Sequence, residues 1–160
     1  MGPAEFRPPE MTVSVQREDF DISVEMARLS AADPEIGAVV SFTGLVRQMT
    51  NDGPIGAMEL EHYPGMTERA LQEIAAEAQA RWPLQGVRVI HRYGRLEPGD
   101  RIVLVLTASR HRQAAFEAAE FLMDYLKTRA PFWKKEDHAS GARWLDARDA
   151  DDSAAARWKK

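Results

Sequence analysis

The sequence predicts an α+β fold, with a mostly antiparallel sheet, packed helices and a late β-hairpin region. Three observations lead there. Several short runs either alternate apolar and polar residues or are wholly aliphatic, and glycine or proline turns bracket them. Two long stretches instead repeat apolar residues at helical spacing. The two kinds of segment follow one another without the strict alternation that a parallel sheet requires. With 160 residues, 44% of them hydrophobic and 29% charged, the chain has the size and balance of one globular domain. That domain is expected over residues 11–150, with residues 1–10 a disordered extension and 151–160 a tail. Met11 is an alternative start.

The elements follow in order. Thr12-Val13-Ser14-Val15 alternates as a half-buried strand does, and residues 23–29 read as a short helix. Gly37 and Gly44 bracket the next strand. Residues 48–56 carry the turn cluster Asn51-Asp52-Gly53-Pro54 and are expected to form a mobile loop. Met58, Leu60 and His62 alternate with Glu59, Glu61 and Tyr63, which predicts a strand with one wet face. Residues 67–82 are the clearest surface helix: Ala70, Leu71, Ile74, Ala75 and Ala78 form one stripe, and Pro83 ends it. Strands at 86–93 and 101–108 are joined through Glu97-Pro98-Gly99-Asp100, a strong turn signal. The second is aliphatic enough to lie centrally in its sheet. A helix over 110–129 comes next, with Ser109 as its N-cap. Phe116, Ala119, Met123 and Leu126 share one face, and Ala115, Ala118, Leu122 and Tyr125 widen it into a deeply buried element. Ala130-Pro131 stops this helix, because the residue before proline avoids the helical region. Residues 132–136 and 143–145 form the late hairpin.

Composition removes several classes of function. Twenty-one Lys+Arg against 25 Asp+Glu leave a formal charge of -4, which disfavours a generally basic nucleic-acid binder. The chain has no cysteine, and so no disulfide, thiolate nucleophile, persulfide carrier or zinc–cysteine site. The longest apolar run, at 102–108, is far short of the ~20 residues a membrane span needs. The N-terminus has no apolar signal-peptide core. The expected setting is cytoplasmic, with no membrane and no nucleic acid. His62, His91, His111 and His138 show no metal-ligand spacing, so neither a metal nor a cofactor is expected. His62 and His91 read as structural residues.

Positive charge is nevertheless concentrated in one segment. Residues 110–135 hold six Lys or Arg against Glu117, Glu120 and Asp124, an island that suits an anionic small ligand or an acidic partner. At its start, Ser109-Arg110-His111-Arg112 places cations and free backbone N–H groups at a helix N-terminus, where phosphate binds. Solvated or ion-paired arginines are the alternative. At its end, Lys127, Arg129, Lys134 and Lys135 surround a proline and two aromatics. A helix C-terminus favours cations, which accounts for Lys127 and Arg129 and leaves Lys134 and Lys135. On a strand those two point to opposite faces, so at most one joins Lys127 in a pocket. A partly desolvated lysine beside other cations loses proton affinity and can act as base or nucleophile, which makes Lys127 and Lys134 candidates. Arg47 ends a glycine-punctuated strand where a loop can fold over a ligand, although a lone arginine after a strand is usually a surface residue. Taken alone, the residues give a basic pocket for a phosphorylated ligand with one or two working lysines.

The same residues carry a resemblance. Ser41-Phe42-Thr43-Gly44-Leu45-Val46-Arg47, Leu60-Glu61-His62-Tyr63-Pro64-Gly65-Met66-Thr67-Glu68, Arg81-Trp82-Pro83-Leu84 and Ser109-Arg110-His111-Arg112 form ordered blocks. The densest is Met123-Asp124-Tyr125-Leu126-Lys127-Thr128-Arg129-Ala130-Pro131-Phe132-Trp133-Lys134-Lys135-Glu136, and Arg143-Trp144, Ala147-Arg148 and Arg157-Trp158 close the series. Together they resemble the catalytic (large) subunit family of molybdopterin synthase, a sulfurtransferase of molybdenum cofactor biosynthesis. The resemblance implies an α/β hammerhead-like fold and an activity: addition of two sulfurs to cyclic pyranopterin monophosphate (precursor Z) to form the molybdopterin dithiolene. It implies a small ubiquitin-like sulfur-carrier subunit, whose C-terminal Gly-Gly thiocarboxylate threads into the pocket, and a homodimer within a heterotetramer. Carried over by position, Lys127 and Lys134 are the catalytic lysines. Arg47, His111 and Arg112 contact substrate, Lys135 and Glu136 continue that stretch, and Arg148 matches an arginine supplied across the dimer. Leu45 and Arg110 stand at positions where relatives vary. A non-catalytic scaffold for a ubiquitin-like partner, or a binding module for a phosphorylated ligand, is the alternative.

Overall fold

The computed structural model describes residues 10–50, 53–138, 141–145 and 149–159. In chain order the elements are β1 (Glu10–Gln16), α1 (Ile22–Ser30), β2 (Ala38–Leu45), β3 (Met49–Thr50), β4 (Gly53–His62), α2 (Met66–Arg81) and β5 (Leu84–Arg92). There follow β6 (Gly94–Leu96), β7 (Arg101–Ser109), α3 (Arg112–Arg129), β8 (Phe132–His138), β9 (Gly141–Leu145) and α4 (Asp149–Ala156). One sheet runs β1-β5-β7-β2, and a second runs β3-β4-β8-β9, with β6 also paired to β4. Only β1 and β5 pair in parallel among the described residues. The fold is α+β and mostly antiparallel, as the residue patterns predict.

Both faces of the first sheet are covered, and the residue period divides its core in two. Val103 and Val105 of β7 face one way, into a cluster with Leu71, Ile74, Ala118, Phe121 and Leu122 from α2 and α3. Leu104, Leu106 and Ala108 face the other way, against Phe20 and Leu29 beside and on α1. Two-sided burial explains why β7 reads as a continuous aliphatic run. A smaller cluster of Val46, Ile55, Met58, Leu60 and Leu96 lies under the second sheet.

Helix α3 lies close to the sheet because its inner face is rich in alanine. Ala115, Ala118 and Ala119 are buried there, and the Thr107 hydroxyl donates to the Ala115 carbonyl at 2.7 Å. Phe116, expected on the buried face, is 60% exposed. Apolar residues ring so much of this helix that periodicity fits more than one face, and close packing selects the alanine face. The helix also begins two residues later than expected. His111 takes the N-cap position without a side-chain cap bond, while Ser109 ends β7 and donates its hydroxyl to the Pro83 carbonyl at 2.8 Å.

Three further differences bear on the site. Residues 48–56, expected as a loop, contain β3 and the start of β4, which pair Met49 with Pro54 and Thr50 with Gly53. The short strand β6 has no counterpart among the elements read from the sequence. The expected boundary at residue 150 falls inside α4, and Trp158 beyond it packs edge-on against Trp82 and Phe121 at centroid distances of 5.7 Å. Such contacts contribute about 0.5–1.5 kcal/mol each, so this segment belongs to the core. Residues 1–9 lie outside the described residues. No helix among the described residues is long and apolar enough to cross a membrane.

Candidate active site

A cleft of about 300 Å³ opens between the two sheets at the C-terminal end of α3. Its polar side chains include Arg47, His91, Lys127, Lys134 and Glu136, and its apolar wall includes Phe42, Leu60, Met123 and Phe132.

Each polar group is placed by a local feature of the sequence. β2 shifts register between Gly44 and Leu45, and a Cβ on Gly44 would stand 2.8 Å from Val103 Cγ1, so glycine lets the strand approach β7 as it leaves the ladder. Val46 is then fixed by two backbone bonds, its N–H to the Asp100 carbonyl at 2.9 Å and its carbonyl to the Gly99 N–H at 2.8 Å. Arg47, the next residue, is exposed at the cleft edge. Lys127 sits on the last turn of α3, which Pro131 terminates. A fully buried threonine pins that junction: Thr67 donates to the Pro131 carbonyl at 3.0 Å and accepts the Tyr63 N–H at 2.9 Å. β8 leaves the junction paired to β4, Lys134 against Leu60 and Glu136 against Met58. Strand alternation sends those two side chains to one face.

The charges are unequally satisfied. Arg129 donates to Glu77 at 2.8 Å and covers the Tyr125 ring at 4.7 Å. Among the described residues, Arg47 and Lys127 have no carboxylate partner. Glu136 is 3% exposed and faces His138 Nε2 at 3.1 Å. His91 reports the resulting field. Burial holds its imidazolium down, and Lys127, Lys134 and His62 add to that against the opposing Arg92 carbonyl, leaving a pKa of about 3. A cleft with unpaired cations and a neutral histidine is built to receive negative charge.

The MoaE protein family matches residues 15–129. The molybdopterin synthase catalytic subunit of Mesorhizobium japonicum is 58% identical over 150 residues, which cover 92% of this chain and 93% of that protein. The chain belongs to the MoaE family. A solved structure of the MoaE protein from Burkholderia ambifaria superposes with a TM-score of 0.81 at 54% identity, covering 94% of this chain and 99% of that one. A Helicobacter pylori complex of subunits 1 and 2 of molybdopterin-converting factor shares the fold, with a TM-score of 0.68 at 19% identity over 86% of this chain and 91% of that chain. The family, fold class and enzyme class expected from the sequence are those found: a molybdopterin synthase catalytic subunit, and so a sulfurtransferase.

Within this member of the MoaE family, Arg47, Lys127, Lys134 and Glu136 share the cleft. Lys135, expected at the substrate, pairs with Glu59 across β8 and β4 and by alternation lies on the opposite face. His111 and Arg112 also do not line the cleft of this chain. They are exposed at the far end of α3, about 22 Å from Lys127 at 1.5 Å per residue. The expected convergence of both helix ends on one ligand therefore does not occur within a single chain. Arg148 lies outside the described residues. His91, read from sequence as structural, does line the cleft. Its stacking partner Phe132 comes from another strand, at 3.8 Å and 20°, a contact with no local sequence signal.

Proposed function

We propose that this cleft performs the sulfur transfer of molybdopterin synthase on cyclic pyranopterin monophosphate. The observation that carries the reading is the meeting of Arg47, Lys127 and Lys134 in one cleft, with Arg47 and Lys127 lacking carboxylate partners among the described residues. Arg47 neutralises the phosphate whose ring must open. Lys127 and Lys134 move protons at the carbon that accepts sulfur and stabilise the acyl-linked intermediate. Sulfur arrives as the C-terminal Gly-Gly thiocarboxylate of a small ubiquitin-like subunit, whose narrow tail suits a cleft of this size. The absence of cysteine agrees with a route in which sulfur never rests on this chain. Glu136, held by His138 at 3.1 Å, lines the same cleft as a further substrate-facing group.

His111 and Arg112 join the site from a second copy of the chain. Phe116, 60% exposed one turn from Arg112, lies on the face that this second copy would meet. Arg148 is assigned to the substrate's periphery in the same assembly, two large and two small subunits. The catalytic domain includes Glu10, the first residue of β1, and the site of action is the cytoplasm. Incubation with the thiocarboxylated small subunit and the cyclic pterin is expected to yield a dithiolene product. Failure with a small subunit shown to be active on an authentic synthase would overturn the assignment.

A further inference from the structure

We infer that His91 is a specificity-determining residue of the cleft, its Nε2 accepting a hydrogen bond from an N–H or O–H donor on the ring portion of the ligand. This rests on the reading of the cleft as a pterin phosphate site.

The tautomer follows from one contact. His91 Nδ1 lies 2.8 Å from the Arg92 carbonyl, which has no proton to give, so Nδ1 carries the hydrogen and Nε2 the lone pair. The ring stays uncharged at neutral pH, because burial and the ammonium groups of Lys127 and Lys134 oppose a second proton. Nε2 has no hydrogen-bond partner among the described residues. Nor is it sealed from solvent: among the described residues, the buried side-chain polar atoms without partners are Gln79 Nε2 and Gln85 Oε1. In a residue only 6% exposed that lines the cleft, an open Nε2 faces the space a ligand would fill.

The neighbouring groups make that acceptor distinctive. Arg47, Lys127 and Lys134 only donate. The Thr50 hydroxyl donates to the Gly53 carbonyl at 2.8 Å, and Glu136 is engaged by His138. Stacking on Phe132 fixes the imidazole plane, so the acceptor keeps its direction before the ligand enters. The cleft thereby sorts a ligand: its anionic part goes to the cations and a ring donor goes to His91. A reduced pterin presents such N–H donors next to its phosphate.

The test compares His91→Phe and His91→Gln in the full chain by calorimetric titration with the cyclic pterin monophosphate and, separately, with inorganic phosphate. His91→Phe keeps a stacked ring but has no acceptor. His91→Gln loses the ring but places Oε1 near the former Nε2. The expected result is a Kd for the pterin raised about tenfold in His91→Phe, largely restored in His91→Gln, with the phosphate Kd unchanged in both. A purely structural role predicts the reverse order, with both ligands affected together, and that outcome overturns the inference. So does an unchanged pterin Kd in His91→Phe. Should that variant fail to fold, His91→Asn, whose amide ends near the Nδ1 position, takes its place. Wild-type protein that binds phosphate but not the pterin would overturn the functional reading itself.

Discussion

The two ends of α3 are both cationic, yet the fold treats them differently. At the C-terminal end the helix stops at Pro131, β8 returns beside it, and Lys127 and Lys134 meet Arg47 across a cleft. At the N-terminal end Arg110 pairs with Glu35 at 3.4 Å, and His111 and Arg112 stand exposed with no wall opposite them among the described residues. Equal charge therefore does not make equal sites. What distinguishes the C-terminal end is the second surface that excludes water and brings in further cations, while the N-terminal end supplies charge without enclosure. On this account the second end becomes functional only when another copy provides the wall.

That difference can be broken directly by mixing. Arg112→Ala and Lys127→Ala are each expected to lower turnover by about 10²-fold or more. If Arg112 serves the partner's cleft, mixed dimers of the two inactive variants contain one intact site. Reassociation of an equal mixture should then recover about a quarter of wild-type activity in a two-fold dimer. An inactive mixture, with dimer exchange verified, would return Arg112 to a surface role.

The burial of His91 beside the cations of the C-terminal end also has a stability signature. His91 has a pKa of about 3 when folded against 6.5 normally, so the unfolded chain binds a proton that the folded one refuses throughout that interval. Its contribution is fully present above pH 6.5 and is lost as pH falls toward 3. The slope approaches about 1.4 kcal/mol per pH unit. Urea midpoints between pH 7 and 4 should fall accordingly, and less steeply in His91→Phe. Parallel profiles would mean that His91 is not held neutral by its surroundings.

A smaller effect sharpens the view that the α3–β8 junction is built to aim the lysines. Thr67→Val removes both the bond to Pro131 and the bond from Tyr63, at an expected cost of about 1–3 kcal/mol. Chemical denaturation would measure it, and turnover should fall more than substrate affinity. A variant with wild-type stability would show that the threonine does not pin the junction.

Much of this was readable in the residues. Alternation at Met58 and Leu60, the aliphatic run of β7 and the stop at Ala130-Pro131 each reflect backbone rules acting over a few positions. The strand period showed that at most one of Lys134 and Lys135 could join Lys127, and the pairing of β8 with β4 decides for Lys134. What escaped depends on distant partners. Lys127 and Arg129 look alike in sequence, and only Glu77 on α2 separates the ion-paired residue from the free one. Phe116 went astray because α3 has apolar residues around most of its circumference. β6, at three residues, is too short to show a period. His91 acquires its role from Phe132, Lys127 and Lys134, none of them near it in the chain.

Lys127 and Arg129 carry the same charge on the same helical turn, which makes a paired measurement of Lys127→Ala and Arg129→Ala the sharpest test that the cleft, and not the general charge of the helix end, drives catalysis. In a single-turnover assay with the thiocarboxylated small subunit, Lys127→Ala is expected to lose about 10²–10⁴-fold in rate. Arg129→Ala should stay near wild type and cost at most about 1 kcal/mol of stability for its partly exposed ion pair. Equal losses in the two variants would contradict the account.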